Sequence, residues 1–140
     1  MPKILVTRRT FPEAAEALRA SGAEVVIWED AHSPSQDDLL AAVADVDGIY
    51  AHITNQIDGE VMDAAPNLKV IAEFGVGYDN INIADANERG IAVCNTPGIL
   101  SESTADEAFA LLTAMARRTN DLPAMVKRGE WGDFDPLGYL

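Results

Sequence analysis

The residues best suited to chemistry form one run, Phe74-Gly75-Val76-Gly77-Tyr78-Asp79-Asn80, directly after the apolar segment Lys69-Val70-Ile71-Ala72. Gly75 and Gly77 lack a Cβ, so the backbone can turn sharply and aim several N–H groups at one point. Such a nest holds an anion through fixed main-chain dipoles. The chemistry it predicts is capture of a small carboxylate by charge-assisted hydrogen bonds from amides that need no reorientation. Gly-Val-Gly taken alone is more often an ordinary turn, so its surroundings must decide.

Other reactive side chains are sparse. His32 and His52 stand apart, with no ligand partner at helical spacing, and no metal site is expected. His52 follows the run Gly48-Ile49-Tyr50-Ala51, where it lines a cleft or is a satisfied surface histidine. Cys94 is the single cysteine, which excludes an internal disulfide, and it reads as a small buried hydrophobe at the end of a strand. No Gly-x-Ser-x-Gly elbow, Walker loop or Cys-His pair occurs. No residue is assigned a catalytic role.

The elements that must position the glycine run are short apolar segments alternating with helix-length amphipathic ones. Ile4-Leu5-Val6, Val25-Val26-Ile27-Trp28, Gly48-Ile49-Tyr50-Ala51, Lys69-Val70-Ile71-Ala72 and Ile91-Ala92-Val93-Cys94 imply five strands. Continuous apolar runs without alternation predict strands covered on both faces, as in a parallel sheet with crossover helices. Helices are predicted over 11–20, from Ser35 onward, over 58–64 and over 83–89, with Pro12 near one start and Gly22 and Gly90 as stops. The fold class is therefore α/β, a flavodoxin-like doubly wound parallel sheet of about five strands. Ligands of such sheets bind beyond the strands' carboxyl ends, where the glycine run lies.

After Asn95-Thr96-Pro97-Gly98 the pattern changes. One long helix is predicted over 101–118, with Ala105, Ala108, Phe109, Leu112 and Ala116 at helical spacing and Ser101 to Thr104 as candidate caps. The tail from Gly129 holds Trp131, Phe134, Tyr139 and Leu140 without periodicity. The expected domains are 1–98 and 99–140.

Composition narrows the class of function. A hydrophobic share of 48% with 24% charged residues fits a globular chain, and no apolar run reaches the roughly 18 residues of a membrane span. The chain does not start with a signal-peptide pattern, so a cytoplasmic setting is expected. Asp and Glu number 23 against 10 Lys and Arg, a net charge of −13, which disfavours nucleic acid and anionic membrane as partners. A flavodoxin would need a glycine-rich phosphate cradle where Thr7-Arg8-Arg9 stands. A phosphorylated receiver domain would need acids there and at Ala51-His52.

Pro66-Asn67-Leu68-Lys69-Val70-Ile71-Ala72, Gly75-Val76-Gly77-Tyr78-Asp79-Asn80-Ile81, Arg89-Gly90-Ile91-Ala92-Val93, Asn95-Thr96-Pro97-Gly98 and Thr104-Ala105-Asp106 follow one another in order, and Arg128-Gly129-Glu130-Trp131 extends the series. In this the chain resembles the D-2-hydroxyacid dehydrogenases, with wording nearest the glyoxylate and hydroxypyruvate reductase branch. The resemblance implies that Gly75, Val76 and Gly77 bind the substrate carboxylate, with Val76 and Gly77 offering amides. It implies that His52, Ile53 and Thr54 form part of the pocket wall and that Thr104 sits beside the nicotinamide of NAD or NADP. The implied activity is reduction of a small 2-oxoacid to a D-2-hydroxyacid, in a homo-oligomer joined through helix 101–118 and the arm after it.

Asn82 departs from that family's usual aspartate. No Gly-x-Gly-x-x-Gly occurs within the 140 residues, and the Arg, Glu and His that such enzymes use find no counterpart. Residues 99–140 are therefore expected to begin an incomplete Rossmann cofactor domain, with no turnover and no bound cofactor for the 140 residues alone. The alternative is a non-catalytic binding or assembly module acting through the exposed helix.

Overall fold

The computed structural model describes residues 1–133. Phe134, Tyr139 and Leu140, expected in the apolar tail, lie outside the described residues. The chain divides into two compact units, Met1–Gly98 and Ile99–Leu140.

The first unit alternates strand and helix: β1 (Lys3–Val6), α1 (Pro12–Ala20), β2 (Glu24–Ile27), α2 (Gln36–Ala42), β3 (Gly48–Ala51), α3 (Gly59–Ala64), β4 (Val70–Glu73), α4 (Ile83–Glu88) and β5 (Ala92–Cys94). The strands form one sheet, parallel throughout, in the order β2-β1-β3-β4-β5. This is the flavodoxin-like winding, reversing direction between β1 and β3. Register aligns Val26, Leu5, Ile49, Ile71 and Val93 in one row across the sheet. Leu5, Ile49 and Ile71 of that row are buried against Leu39 and Val43 beside α2, Val61 and Met62 of α3, and Ala86 of α4. The core is thus the apolar face of three helices laid on the middle of the sheet, and hydrophobic burial is what holds the strand ends in place.

Coverage of both faces, expected for every strand, is confined to the centre. β3 is buried along most of its length, whereas β2 alternates half-buried and exposed positions and β5 has exposed ends. Both are edge strands, with a neighbour on one side only. Cys94 at the end of β5 is accordingly exposed, which corrects its reading as a buried hydrophobe.

Local chemistry sets the helix ends. Pro12 opens α1, its fixed φ suiting the first turn, and Gly22 closes it at φ +84°, a conformation glycine adopts without penalty. Ser35 caps α2 by accepting from Asp38 N–H, and Asp58 caps α3 by accepting from Glu60 and Val61 N–H. Asn82 caps α4, its Oδ1 accepting from the N–H groups of Ala84 (3.0 Å) and Asp85 (3.2 Å). Asparagine thus meets the hydrogen-bonding demand that an aspartate would meet at the same place.

The second unit contains α5 (Ser101–Ala116) and α6 (Asp121–Lys127). α5 begins after Leu100 with no side-chain cap, and Ser103 Oγ donates back to the Leu100 carbonyl, so the expected hydroxyl caps do not form. The helix ends two residues short of the predicted Arg118, which instead takes the left-handed conformation at φ 51°. α6 was not predicted. Pro123 is the third residue of α6, within the first turn, where no intrahelical acceptor exists for an N–H and proline costs little. Among the described residues, no helix is long and apolar enough to cross a membrane.

Replacing Asn82 by Ala is expected to lower the unfolding free energy by about 1 kcal/mol, while Asn82→Asp stays within about 0.5 kcal/mol of the parent. Urea denaturation checks this, and an unchanged midpoint for Asn82→Ala would show that the cap contributes nothing.

Candidate carboxylate-binding site

Four loops meet at the carboxyl ends of the strands because the parallel register brings those ends level. Thr7, fully buried after β1, donates its N–H to the Tyr50 carbonyl and accepts from His52 N–H through Oγ1 (3.1 Å). Phe74 N–H reaches the Ala51 carbonyl (2.9 Å). Residues 7–10, 52–54, 74–80 and 95–96 are therefore assembled on one edge by the parallel register and by backbone bonds, with the Thr7 hydroxyl adding a side-chain tie.

Within the 74–80 loop, three successive carbonyls face the segment after β5. Phe74 C=O accepts from Thr96 Oγ1 (3.0 Å), Gly75 C=O from Thr96 N–H (3.2 Å) and Val76 C=O from Asn95 Nδ2 (2.8 Å). Every described peptide bond is trans, so the N–H sharing a plane with each carbonyl points the opposite way. The three amides so directed belong to Gly75, Val76 and Gly77. Gly75 N–H donates to Glu73 Oε1 (3.1 Å). Those of Val76 and Gly77 have no protein acceptor among the described residues.

Neither Gly75 nor Gly77 has a positive φ, so the sharp turn does not use the left-handed region. Proximity favours glycine at position 75: a Cβ there would lie 3.1 Å from Ile53 Cγ2, tighter than side chains ordinarily pack, so Ile53 would have to shift. A Cβ on Gly77 would meet nothing within 4 Å, so this glycine borders open space. Of the three residues expected to bind a carboxylate, Val76 and Gly77 present available amides, and Gly75 lends its N–H to the loop's own structure.

The other expected site residues are placed as follows. Ile53 is exposed and packs on Gly75. Thr54 shares a 2.6 Å hydroxyl hydrogen bond with Ser33. His52 stacks on the Phe74 ring, centroids 4.7 Å apart and planes 20° from parallel. Its Nε2 is buried without a hydrogen-bond partner. His52, Phe74, Arg9, Thr10, Phe11 and Pro12 line a cleft of about 340 Å³. Burial pulls the His52 pKa below its ordinary value and Arg8 adds to this, while Glu73 opposes it. Thr104 belongs to the second unit, in the first turn of α5, where it lines a separate cleft with Ser103, Glu107, Ala108 and Leu111. Among the described residues no three His, Cys, Asp or Glu side chains converge as metal ligands.

Sequence reasoning did not assign roles to Glu73, Asn80, Asn95 and Thr96, the residues that hold the loop. One signal for Glu73 was present. It stands two residues after Ile71 in an apolar strand and so shares its inward face, where a carboxylate is costly and calls for a reason.

Residues 4–128 match the family described as D-isomer specific 2-hydroxyacid dehydrogenase, catalytic domain. A glyoxylate reductase of Thermococcus litoralis is 45% identical over 130 residues, covering 93% of this chain and 39% of that protein. The glyoxylate reductase of Pyrococcus furiosus is 42% identical over the same length, 38% of that protein. The chain thus spans about two-fifths of the length of the curated relatives it matches. Among solved structures, the TT0316 protein of Thermus thermophilus superposes with a TM-score of 0.88 at 40% identity, over 99% of this chain and 44% of that one. An NADPH-dependent glyoxylate/hydroxypyruvate reductase of Sinorhizobium meliloti, in complex with NADP and malonate, superposes with a TM-score of 0.70 at 34% identity, over 98% and 43%.

The His52 environment has a consequence for pH. Its depressed pKa means that the unfolded chain takes up this proton first on acidification, so stability falls as pH drops below the ordinary 6.5 and continues to fall until the folded-state pKa is passed. NMR titration of the His52 ring is expected to give a midpoint below 6.5, and His52→Phe to flatten that part of the stability curve. A midpoint at or above 6.5 contradicts the burial described.

Proposed function

This chain belongs to the D-isomer specific 2-hydroxyacid dehydrogenase family, and we propose that its first unit is the substrate-binding part of an oxidoreductase acting on small 2-oxoacids such as glyoxylate or hydroxypyruvate. One observation carries the reading: the Val76 and Gly77 N–H groups are turned outward together, with no protein acceptor. Val76 and Gly77 are exposed, and a pair of N–H groups held outward by bonds on its opposite side suits a ligand with two acceptor oxygens. A carboxylate is such a ligand. The net charge of −13 repels it at long range, and the two amide dipoles attract it at contact, where the field of fixed donors outweighs screened distant charge.

In this reading Gly75 shapes the cradle, Ile53 and His52 form its wall, and Thr54 secures that wall through Ser33. The nicotinamide of NAD or NADP, when bound, supplies hydride to the carbonyl carbon. The described residues do not form a dinucleotide cradle, and Thr104 is the one position we assign beside that ring. Within residues 1–140 we assign no group that delivers a proton to the carbonyl oxygen. We place the protein in the cytoplasm, in keeping with nicotinamide-linked chemistry on small acids.

A second reading rests on α5, which buries none of its residues and exposes Phe109 (67%), Leu112 (63%) and Met115 (80%). Such a stripe suits pairing with a second copy of the chain through this helix and the arm beyond it. Light scattering is expected to report a dimer or larger, and a strict monomer at all concentrations counts against this surface.

Charge-assisted bonds contribute about 1.5–3 kcal/mol each, so two of them total roughly 3–6 kcal/mol, a range that includes the −4.1 kcal/mol of a millimolar dissociation constant, and binding no tighter than about millimolar is expected. Titrating the isotope-labelled chain with glycolate is expected to move the Val76 and Gly77 amide resonances saturably, with little change at the remote Gly22. Shifts elsewhere and none at these two amides contradict the assignment. The 140 residues alone, given glyoxylate and NADPH, are expected to show no turnover, and rates near those of an intact reductase would refute that part of the proposal.

A further inference from the structure

Glu73 is the one acidic or basic residue buried among the described residues, 2% exposed at the last position of β4. Each of its carboxylate oxygens has a different donor. Oε1 accepts from Gly75 N–H (3.1 Å), at the start of the loop. Oε2 accepts from Asn80 Nδ2 (3.0 Å), at its end. The same Asn80 amide lies 3.0 Å from the Asn55 carbonyl and 3.4 Å from the His52 carbonyl, so the clasp reaches the loop after β3 as well.

A single side chain thus grips both ends of the loop that carries Val76 and Gly77. Both partners are donors, so the position demands two acceptors. A carboxylate has two, a glutamine has one acceptor and one donor, and an apolar residue has none. That demand explains an acid at a core position that Ile71 fills two residues earlier. We propose that Glu73 is a positioning residue: by fixing the Gly75 peptide and Asn80 it holds the Val76 and Gly77 N–H groups in the geometry that receives a carboxylate. The inference rests on the carboxylate-binding reading given above.

Charge and geometry make opposite demands here. A buried negative charge beside an anion site weakens binding by repulsion, so a purely electrostatic role for Glu73 requires Glu73→Gln to bind anions more tightly. The positioning role requires the reverse, because glutamine turns a donor toward Asn80 and opens one end of the clasp.

The test follows glycolate binding by amide NMR in the unaltered chain and in Glu73→Gln, with the unfolding midpoint of each recorded separately. The expected result is a dissociation constant raised about tenfold in the variant, with the ligand-free Val76 and Gly77 resonances displaced while those of the β1 and β3 core stay in place. Unchanged or tighter binding by a folded Glu73→Gln overturns the proposal and leaves the carboxylate site standing. Absence of Val76 and Gly77 shifts in the unaltered chain overturns the site itself, and the role with it. Should the variant not fold, amide exchange in the unaltered chain decides: Gly75 N–H is expected to exchange far more slowly than Val76 and Gly77, and equal rates for all three overturn the clasp.

Discussion

A trans peptide cannot turn its carbonyl without turning its N–H the other way, and the site at the carboxyl ends of the strands is built on that constraint. Thr96 and Asn95 take the carbonyls of Phe74, Gly75 and Val76, so the next three amides face the opposite side. Glu73 takes the first of them, leaving two. The proposed donors belong to the backbone, and their direction is enforced from behind. The parallel sheet matters to this arrangement in one respect: its register sets the ends of β4 and β5 side by side, so that residues 95–96 can reach residues 74–76.

Much of the architecture was legible because it depends on periodicity and on residues with strong local preferences. Five apolar runs separated by helix-length segments gave the parallel sheet, and Pro12, Gly22, Ser35 and Gly90 marked helix ends through backbone chemistry that needs no tertiary context. What escaped depended on tertiary placement. Cys94 looked buried because it ends an apolar run, yet β5 is an edge strand and one neighbour cannot cover it. The glycine pair was legible as a sharp turn, but that Gly75 lies close to Ile53 and Gly77 borders open space follows only from the fold. Glu73 and Asn80 could be read as polar residues in an apolar neighbourhood, but that they share a hydrogen bond follows only from the closing of the loop between them.

The acidic surface and the proposed anion site coexist because they act over different distances. Exposed carboxylates are screened beyond about 10 Å at roughly 0.1 M salt, whereas two fixed N–H groups act at hydrogen-bond range. Exposed ion pairs such as Arg89 with Asp63 and Lys69 with Asp47 join neighbouring elements and add little stability singly. The 98-residue unit therefore depends for its stability on the apolar row through Leu5, Ile49 and Ile71, and the proposed carboxylate site depends on three tied peptides at one end of that row.

A crystal structure of the chain soaked with glycolate tests this account most directly. It predicts one carboxylate whose oxygens lie roughly 2.7–3.2 Å from both Val76 N and Gly77 N, with the carbonyls of residues 74–76 still bonded to Asn95 and Thr96. A carboxylate bound elsewhere with those two amides turned to protein acceptors would contradict it.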